Sequence, residues 1–381
     1  MGNNKIDVII PAFKAQKTIT KTIASLVEQT IVDDLKVTIV NDACPNGDYS
    51  KVIDTFKPYI SIREIKLDTN GGPGVARQYG IDNTDSPYFT CIDADDTFAG
   101  TIALETLRTA IEEPCIFQNQ SIPNAYQVVS STFLQLSDNV RQILPHMNDM
   151  VWMFGKLYRR DFIKKYKIKF NETRANEDTG FNTMCRLLCS NPQEQLRFIQ
   201  EATYYWHNKE NSITRINDGQ YAYDQCFCGW TDNMIYAIEH VLHIRPFDGG
   251  TYQWIANCLM NLYFYYVECF ARKPIFADQD WEYVKKFYNR CYKRISNDIS
   301  DDALSEMFSM ASAEKHGSGS LIGVIPHMGI HEFLEKLESE SYDPNHIYEV
   351  WAKMQESEEG RTLMQNNVDC GVCGEGYWIK E

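Results

Sequence analysis

Three carboxylates lie within four residues of one another, directly after a run of apolar residues. Asp93, Asp95 and Asp96 follow the segment Tyr88–Ile92. Carboxylates this close repel one another unless a cation or hydrogen-bond donors offset their charge. Mg²⁺ and Mn²⁺ prefer carboxylate oxygens and share a nucleotide's phosphates. The cluster therefore predicts a divalent-cation site that neutralises a departing diphosphate, with an acidic helix-capping turn as the alternative.

A glycine-rich loop and a separate aspartate are candidates for holding an anionic nucleotide. The loop Asn70–Gly74 (NGGPG) enters a predicted helix that carries Arg77 one turn in. Glycines allow close backbone approach, and a helix N-terminus favours anions. Asp42 follows another apolar run and could accept a hydrogen bond from a base or a ribose. A plain tight turn and a loop-capping carboxylate are the structural alternatives.

The elements that must position these side chains are strands of one sheet. Runs typical of β-strands alternate with segments of helical periodicity. The strand-like runs of the first hundred residues are 6–10, 37–40, 62–67 and 88–92. Strands separated by helices predict a mostly parallel α/β sheet, with ligands bound beyond the carboxyl ends of the strands. Asp42, Asn70 and Asp93 each follow one of these strands.

The same pattern predicts the organisation of the rest of the chain. We expect helices over 15–29, from the 46–48 turn to about 57, and over 73–81, 101–112 and 179–189, with later strands near 127–131 and 202–206. Residues 1–216 are predicted to form one α/β domain, with a donor half at about 1–100 and an acceptor half at about 101–216. Residues 217–316 are predicted to be helical. A Gly-Ser stretch then links a small segment, 317–381.

Composition narrows the classes of protein. The net charge of −15 over 381 residues disfavours diffuse binding to DNA or to anionic membranes. Twelve scattered cysteines and a start without a signal peptide favour a reducing cytoplasm. The apolar segment 254–271 is interrupted by polar residues, so it is too short and too polar for a membrane span. We therefore expect a soluble cytoplasmic protein, with an oligomer contact open as a role for the helical region.

Several blocks of the chain, in order and in register, resemble family 2 glycosyltransferases with the GT-A fold. The blocks are 8–13, 40–42, 70–77, 91–96, 152–160, 176–181, 205–207 and 211–215. The resemblance covers about residues 5–216. It implies a GT-A-like nucleotide-sugar-binding domain that moves a sugar from a UDP-sugar donor to a hydroxyl acceptor.

The resemblance implies a role for each matching residue. The nucleotide-sugar donor would be bound by Pro11, Ala12, Phe13, Asp42, Asn70, Gly71, Arg77, Asp93, Ala94 and Ser212. Mn²⁺ or Mg²⁺ would be held by Asp95 and His207. Asp178, preceded by Glu177, would be the catalytic base, and the acceptor would meet Trp152 and Lys156. One base opposite the leaving group implies in-line displacement and an inverted anomeric centre.

Two positions depart from the family pattern. The second strand ends in Asn41-Asp42, where an acidic pair is commoner, which leaves the nucleotide's identity open. His207 stands where arginine is frequent, so it could be a metal ligand or a phosphate donor.

The acceptor and the reaction class have alternatives. A cell-surface glycan or a teichoic-acid-type polymer is the leading acceptor. A modified base in nucleic acid is the alternative, since Lys156–Lys169 holds seven basic residues and Lys285–Arg294 mixes basic residues with aromatics. A helix with aromatics inward gives the same pattern. Outside this class stand a nucleotidyltransferase and a non-catalytic nucleotide-sugar-binding protein. Cys370 and Cys373 have metal-ligand spacing without an evident second pair.

Overall fold

The chain forms two compact units, Met1–Ser212 and Ile213–Glu381. The structure, a computed structural model, describes residues 5–45, 47–137, 143–189, 191–208, 219–246 and 277–296, together with isolated positions between 249 and 259 and at 358 and 361. The boundary between the units falls four residues before the predicted boundary at 216. The predicted segment 317–381 lies almost wholly outside the described residues.

Four parallel strands form one half of the sheet in the first unit. They are β1 (Ile6–Ala12), β2 (Leu35–Asn41), β3 (Ser61–Lys66) and β4 (Tyr88–Cys91). Their order is β3-β2-β1-β4, and every neighbouring pair is parallel. Each end lies within two residues of the prediction, because β-branched runs such as Ile6–Ile10 are buried on both faces.

The other half of the sheet is mixed. Its strands are β5 (Thr97–Phe98), β8 (Tyr126–Ser137), β9 (Ile143–His146), β10 (Lys156–Arg159) and β11 (Gln195–Asn208). The order continues β4-β10-β8-β11-β5. β9 is outside this order and pairs antiparallel with β8. β10 runs antiparallel to both neighbours, while β11 is parallel to β8. A separate hairpin joins β6 (Cys115–Phe117) and β7 (Gln120–Ile122).

Within the described residues of the first unit, six α-helices cover this sheet. They are α1 (Ile19–Val27), α2 (Ser50–Phe56), α3 (Pro73–Asp82), α4 (Ala103–Glu112), α5 (Arg160–Lys165) and α6 (Glu177–Leu188). α3 lies close against the sheet because Gly80 lacks a side chain. A Cβ there would lie 2.4 Å from Ile9 Cγ2. This close approach brings Arg77 of α3 to the end of β4.

The described part of the second unit is helical. It contains α7 (Gly219–Ile244), α8 (Ala277–Phe287), a π-helical segment (Tyr288–Tyr292) and α9 (Lys293–Ser296). Phe287, Tyr288 and Tyr292 are buried, and Lys286 and Arg290 form ion pairs with Asp232 and Glu239 of α7. The inward-aromatic interpretation of 285–294 is therefore confirmed. No described helix is long and apolar enough to cross a membrane.

A buried ion pair joins the two halves of the first unit. Arg160, the first residue of α5, places NH2 2.8 Å from Asp7 Oδ2 in β1, and both residues are at most 2% exposed. Arg160 also donates to the carbonyls of Ser86 and Ile81, at 2.7 Å each. Ser86 in turn donates to both carboxylate oxygens of Asp7. The pair therefore fixes β10 and α5 of the acceptor half against β1 and the end of α3.

We predict that Asp7→Ala destabilises the fold by about 3–5 kcal/mol, because removing one partner strands a buried charge. Urea unfolding followed by circular dichroism measures the shift of the midpoint. The control is Asp54→Ala, which removes a solvent-exposed pair with Lys57 (side chains 67% and 61% exposed) and should leave the midpoint in place. Equal midpoints for the two variants would contradict the prediction.

Candidate functional site

The glycine-rich loop is held by the carboxylate of Asp42, at the carboxyl end of β2. Asp42 Oδ1 accepts a hydrogen bond from the Gly71 amide at 2.8 Å, and Oδ2 accepts from the Gly72 amide and from Asn70 Nδ2 at 2.9 Å. Asp42 is only 3% exposed. In this structure Asp42 therefore caps the glycine-rich loop, which was the structural alternative. A contact of Asp42 with a base or a ribose stays a prediction.

Two exposed side chains lie at this edge of the sheet. Arg174, which precedes α6, donates to the side-chain and backbone oxygens of Asn70 at 2.8 and 3.2 Å. Phe13 follows the end of β1 and is 44% exposed, with the Lys14 ammonium 5.0 Å from its ring centroid. An exposed ring and an exposed guanidinium at a sheet edge suit the stacking of a base and the binding of a phosphate. Pro11 is half-buried and Ala12 is buried.

The acidic cluster contains three carboxylates in three different environments. Asp95 is exposed, Asp93 is half-buried and Asp96 is 1% exposed. Asp96 accepts hydrogen bonds from the His207 amide and from the Tyr204 hydroxyl, both at 2.8 Å. Burial, with the nearby charges of Asp93 and Asp95, raises the pKa of Asp96 well above its ordinary value. Asp96 therefore ties the end of β4 to β11, and Asp95 is the member that faces solvent. Ala94, which lies between Asp93 and Asp95 in the chain, is buried.

The residues present fit a divalent cation that shares its ligands with a diphosphate. Within the described ranges, no three His, Cys, Asp or Glu side chains come together as a metal cage. Mg²⁺ is ordinarily bound by one or two carboxylates plus substrate phosphates and water, so Asp95 alone suffices on the protein side. His207 Nε2 lies 2.9 Å from Thr97 Oγ1. Metal binding through that nitrogen would cost this hydrogen bond. The metal roles of Asp95 and His207 stay predictions.

Asp178 has the properties of a base near neutral pH. It is the second residue of α6 and is half-buried, with Oδ1 accepting from the Thr179 amide at 2.8 Å. Burial and then the neighbouring charge of Glu177 raise the pKa of Asp178 to about 7, against an opposing effect of Arg77. Glu177 is buried, and its Oε1 lies 2.7 Å from Arg77 NH1. Glu177 therefore lies next to Asp178 in the chain and forms an ion pair with Arg77.

Lys156 does not reach the surface in this structure. Its side chain is 0% exposed, and its Nζ lies 2.9 Å from Asp149 Oδ2 and 3.3 Å from the Phe154 carbonyl. Burial lowers the pKa of Lys156, and the Asp149 carboxylate opposes this effect. Asp149 also accepts from the amides of Val151 and Trp152. In this structure Lys156 therefore cannot contact an acceptor directly, which corrects the expectation from the sequence. Lys156 can act only through the loop whose amides bond Asp149.

Trp152 belongs to an aromatic cluster on one face of the acceptor half. Its members are Phe133, His146, Trp152, Phe154, Tyr204 and Trp206. Trp152 and Trp206 lie 5.7 Å apart between ring centroids, and both are half-buried. Asn182 of α6 donates to the Trp152 carbonyl at 3.0 Å, and the Tyr204 hydroxyl bonds Asp96. The cluster thus joins the helix of Asp178 to the acidic cluster.

The basic segment 156–169 is not a continuous exposed patch. Lys156 and Arg160 are buried. Arg159 donates to the carbonyls of Tyr126 and Ile111, and Lys165 pairs with Glu194. Lys164, Lys165, Lys167 and Lys169 are exposed, and the nucleic-acid alternative stays a prediction. The predicted donor contact Ser212 and the cysteines at 370 and 373 lie outside the described residues.

Several residues of the site carried no clear signal in the sequence. Asp149, Arg174 and Asn182 are single polar residues in loops or helices. The partners of Arg174 and Asn182 are distant in the chain, whereas the carboxylate of Asp149 bonds residues two to seven positions away. Tyr204 and Asp96 were within predicted segments, 202–206 and 93–96, but only the three-dimensional structure shows that the tyrosine hydroxyl bridges the cluster.

Comparisons with known proteins relate part of the chain to a family of transferases. The model of glycosyl transferase family 2 matches residues 7–173. The chain is 30% identical over 235 residues to the uncharacterized glycosyltransferase YibD of Escherichia coli (strain K12), covering 57% of this chain and 65% of that protein. It is 23% identical over 214 residues to poly(ribitol-phosphate) β-N-acetylglucosaminyltransferase TarS of Staphylococcus aureus (strain MW2), covering 54% and 36%. The chain spans less than two thirds of either relative.

A solved structure confirms the fold. The crystal structure of S. aureus TarS 1–349 in complex with UDP-GlcNAc matches with a TM-score of 0.52 at 15% identity, covering 99% of this chain and 94% of that one. The α/β sheet predicted from the strand pattern and the GT-A-like fold implied by the family resemblance are therefore confirmed. Residues 7–173 of this chain thus match the model of glycosyl transferase family 2, and both relatives named above are glycosyltransferases.

Proposed function

We propose that this protein transfers a sugar from a UDP-sugar to a hydroxyl group of a cell-surface glycan or teichoic-acid-type polymer, with Mn²⁺ or Mg²⁺ and with inversion of the anomeric centre. One observation carries the proposal. A single buried guanidinium, that of Arg77, lies 2.7 Å from Asp93 on the donor side and 2.7 Å from Glu177 beside the base Asp178. The two halves of a displacement site are thus held next to each other.

Displacing a nucleoside diphosphate requires a base on one side of the sugar and charge neutralisation on the other. Asp178 accepts the proton of the acceptor hydroxyl as its oxygen attacks the anomeric carbon. The UDP group leaves from the opposite face, so the anomeric configuration inverts. Asp95 would hold the cation. The positive charge of the cation would offset the negative charge of the departing diphosphate.

The donor and acceptor classes follow from the site and from the relatives. TarS, crystallised with UDP-GlcNAc, makes this nucleotide sugar the first donor to test. The exposed Phe13 ring and the Arg174 guanidinium support a nucleotide at this sheet edge. Half-buried Trp152 and Trp206 offer apolar ring faces to an acceptor. The name of TarS makes poly(ribitol phosphate) the first acceptor to test, and we propose that the reaction takes place in the cytoplasm.

We predict that purified protein releases UDP from UDP-GlcNAc, UDP-glucose or UDP-galactose when given poly(ribitol phosphate) and Mn²⁺. Asp178→Asn should bind UDP normally but lose about 100- to 10,000-fold in turnover, because a general base contributes this much. A coupled assay for UDP and isothermal titration with UDP measure the two effects. The matched control is Glu172→Gln, an exposed carboxylate just before α6, which should stay fully active. Full activity in Asp178→Asn would remove Asp178 from the mechanism.

We also predict that kcat/KM rises with pH through about 7, the pKa to which burial raises Asp178. The base must be ionised, so activity is low below this value and reaches a plateau above it. The same shift makes stability fall as pH rises from about 4 to about 7, because only the folded state retains the proton there. Rates measured from pH 5 to 9 check the first effect. A flat profile across pH 6 to 8 would contradict it.

Removal of divalent cations should abolish sugar transfer, and Mn²⁺ should restore it. Asp95→Asn should raise the Mn²⁺ concentration needed for half-maximal activity, because one of the few protein oxygens for the cation is lost. Activity titrated with Mn²⁺ after EDTA treatment measures this. Asp68→Asn, which changes an exposed carboxylate near the same sheet edge, is the control. Undiminished transfer in EDTA would refute the metal requirement.

A further inference from the structure

Arg77 has contacts that differ from those of a nucleotide-binding residue. Its side chain is 5% exposed, and its two terminal nitrogens lie 2.7 Å from Asp93 Oδ1 and from Glu177 Oε1. Its Nε is buried without a hydrogen-bond partner in the part of the chain that is described. The guanidinium thus faces two carboxylates of the protein, and little of its surface is left for a ligand.

The backbone is shaped to bring Glu177 onto α3. Gly74 lies one turn before Arg77, and a Cβ at this position would lie 2.6 Å from Glu177 Cγ. The side chain of Glu177 therefore packs over the first turn of α3, where the glycine leaves room for it. Asn176, the residue before α6, takes a left-handed conformation with φ of 58°. The start of α6, which carries Asp178, is thus set by its contact with α3.

We infer that Arg77 is a positioning residue, which fixes the base Asp178 through Glu177 and ties it to the donor-side carboxylate Asp93. The inference rests on the proposed function, since it takes Asp178 as the base. It assigns Arg77 a role other than the direct nucleotide contact that the family resemblance implies. Because Arg77 is a planar fork that bonds both carboxylates, a lysine cannot replace it.

The charges around Asp178 set the direction of the expected pH effects. Charged or titratable groups that act on it come from its own helix, from α3, from the end of β4 and from β10: Glu177, Arg77, Asp93, Lys156 and Tyr158. Arg77 lowers the pKa of Asp178 and Glu177 raises it. Loss of the cation should therefore move the pH profile upward, and loss of the Glu177 charge should move it downward.

The decisive variants are Arg77→Lys, Arg77→Met and Glu177→Gln. We expect Arg77→Lys to lower kcat about 100-fold, since a small misplacement of a reacting group costs this much, with Kd for UDP unchanged. Arg77→Met should shift the kcat/KM profile to higher pH and Glu177→Gln to lower pH. Arg186→Met, an exposed arginine of α6, should change neither. Circular dichroism checks that each variant folds. If Arg77→Met does not fold, the two single variants Arg77→Lys and Glu177→Gln are sufficient to test the inference.

Two results would overturn the inference. The first is weaker UDP binding by Arg77→Lys with kcat retained at saturating donor, which would make Arg77 a nucleotide contact. The second is an unchanged titration of Asp178 in both Arg77→Met and Glu177→Gln. This titration is followed by ¹³C NMR of labelled aspartate carboxyls, with the signal assigned through Asp178→Asn. The NMR titration does not depend on enzyme turnover. If the wild-type protein transferred no sugar, the proposed function would be refuted, but the titration would still test whether Arg77 acts on Asp178.

Discussion

The site depends on the placing of one buried cation among several carboxylates. Asp93 follows β4, while Glu177 and Asp178 are the first two residues of α6. Arg77 is bonded to Asp93 and to Glu177, at 2.7 Å each. Buried carboxylates without a cation would repel each other and take up protons. Arg77 allows Asp93 and Glu177 to lie close together, and Asp178 remains as the carboxylate whose pKa is raised to about 7. Burial first, and then the opposing charges of Glu177 and Arg77, therefore set the pKa of Asp178.

The rest of the first unit holds these groups at fixed positions. Asp42 bonds the loop before α3, and Gly80 allows α3 to lie against β1. The Asp7–Arg160 pair holds the antiparallel β10 and α5 against the parallel strands. Since these contacts connect residues up to 153 positions apart, the site can form only after both halves have folded together. The carboxylates of Asp42 and Asp7 are buried with their hydrogen-bond partners in place, as buried polar groups require.

The sequence predicted the parallel half of the sheet well and the mixed half less well. Strands β1 and β2 are buried runs rich in β-branched residues, β3 alternates in exposure, and β4 is a short buried run. These patterns depend on local residues alone. β5, β9 and β10 have two to four residues, too few to show a period, and their pairing is decided by distant partners. The family motifs brought Asp93, Asp95 and Asp178 to notice for the same reason, because each lies at the end of an element with a strong local pattern.

Roles that depend on burial could not be predicted in this way. In sequence, Lys156 and Arg77 are cations next to motif residues, so each is an equally good candidate for binding a ligand. In the structure both are buried in ion pairs, Lys156 with Asp149 and Arg77 with Glu177 and Asp93. By contrast Arg174, which lies outside the matching blocks, is exposed and bonded to Asn70. A cation that must bind a diphosphate has to keep exposed surface. The exposed arginine beside the glycine-rich loop therefore meets a physical requirement that the two motif cations do not.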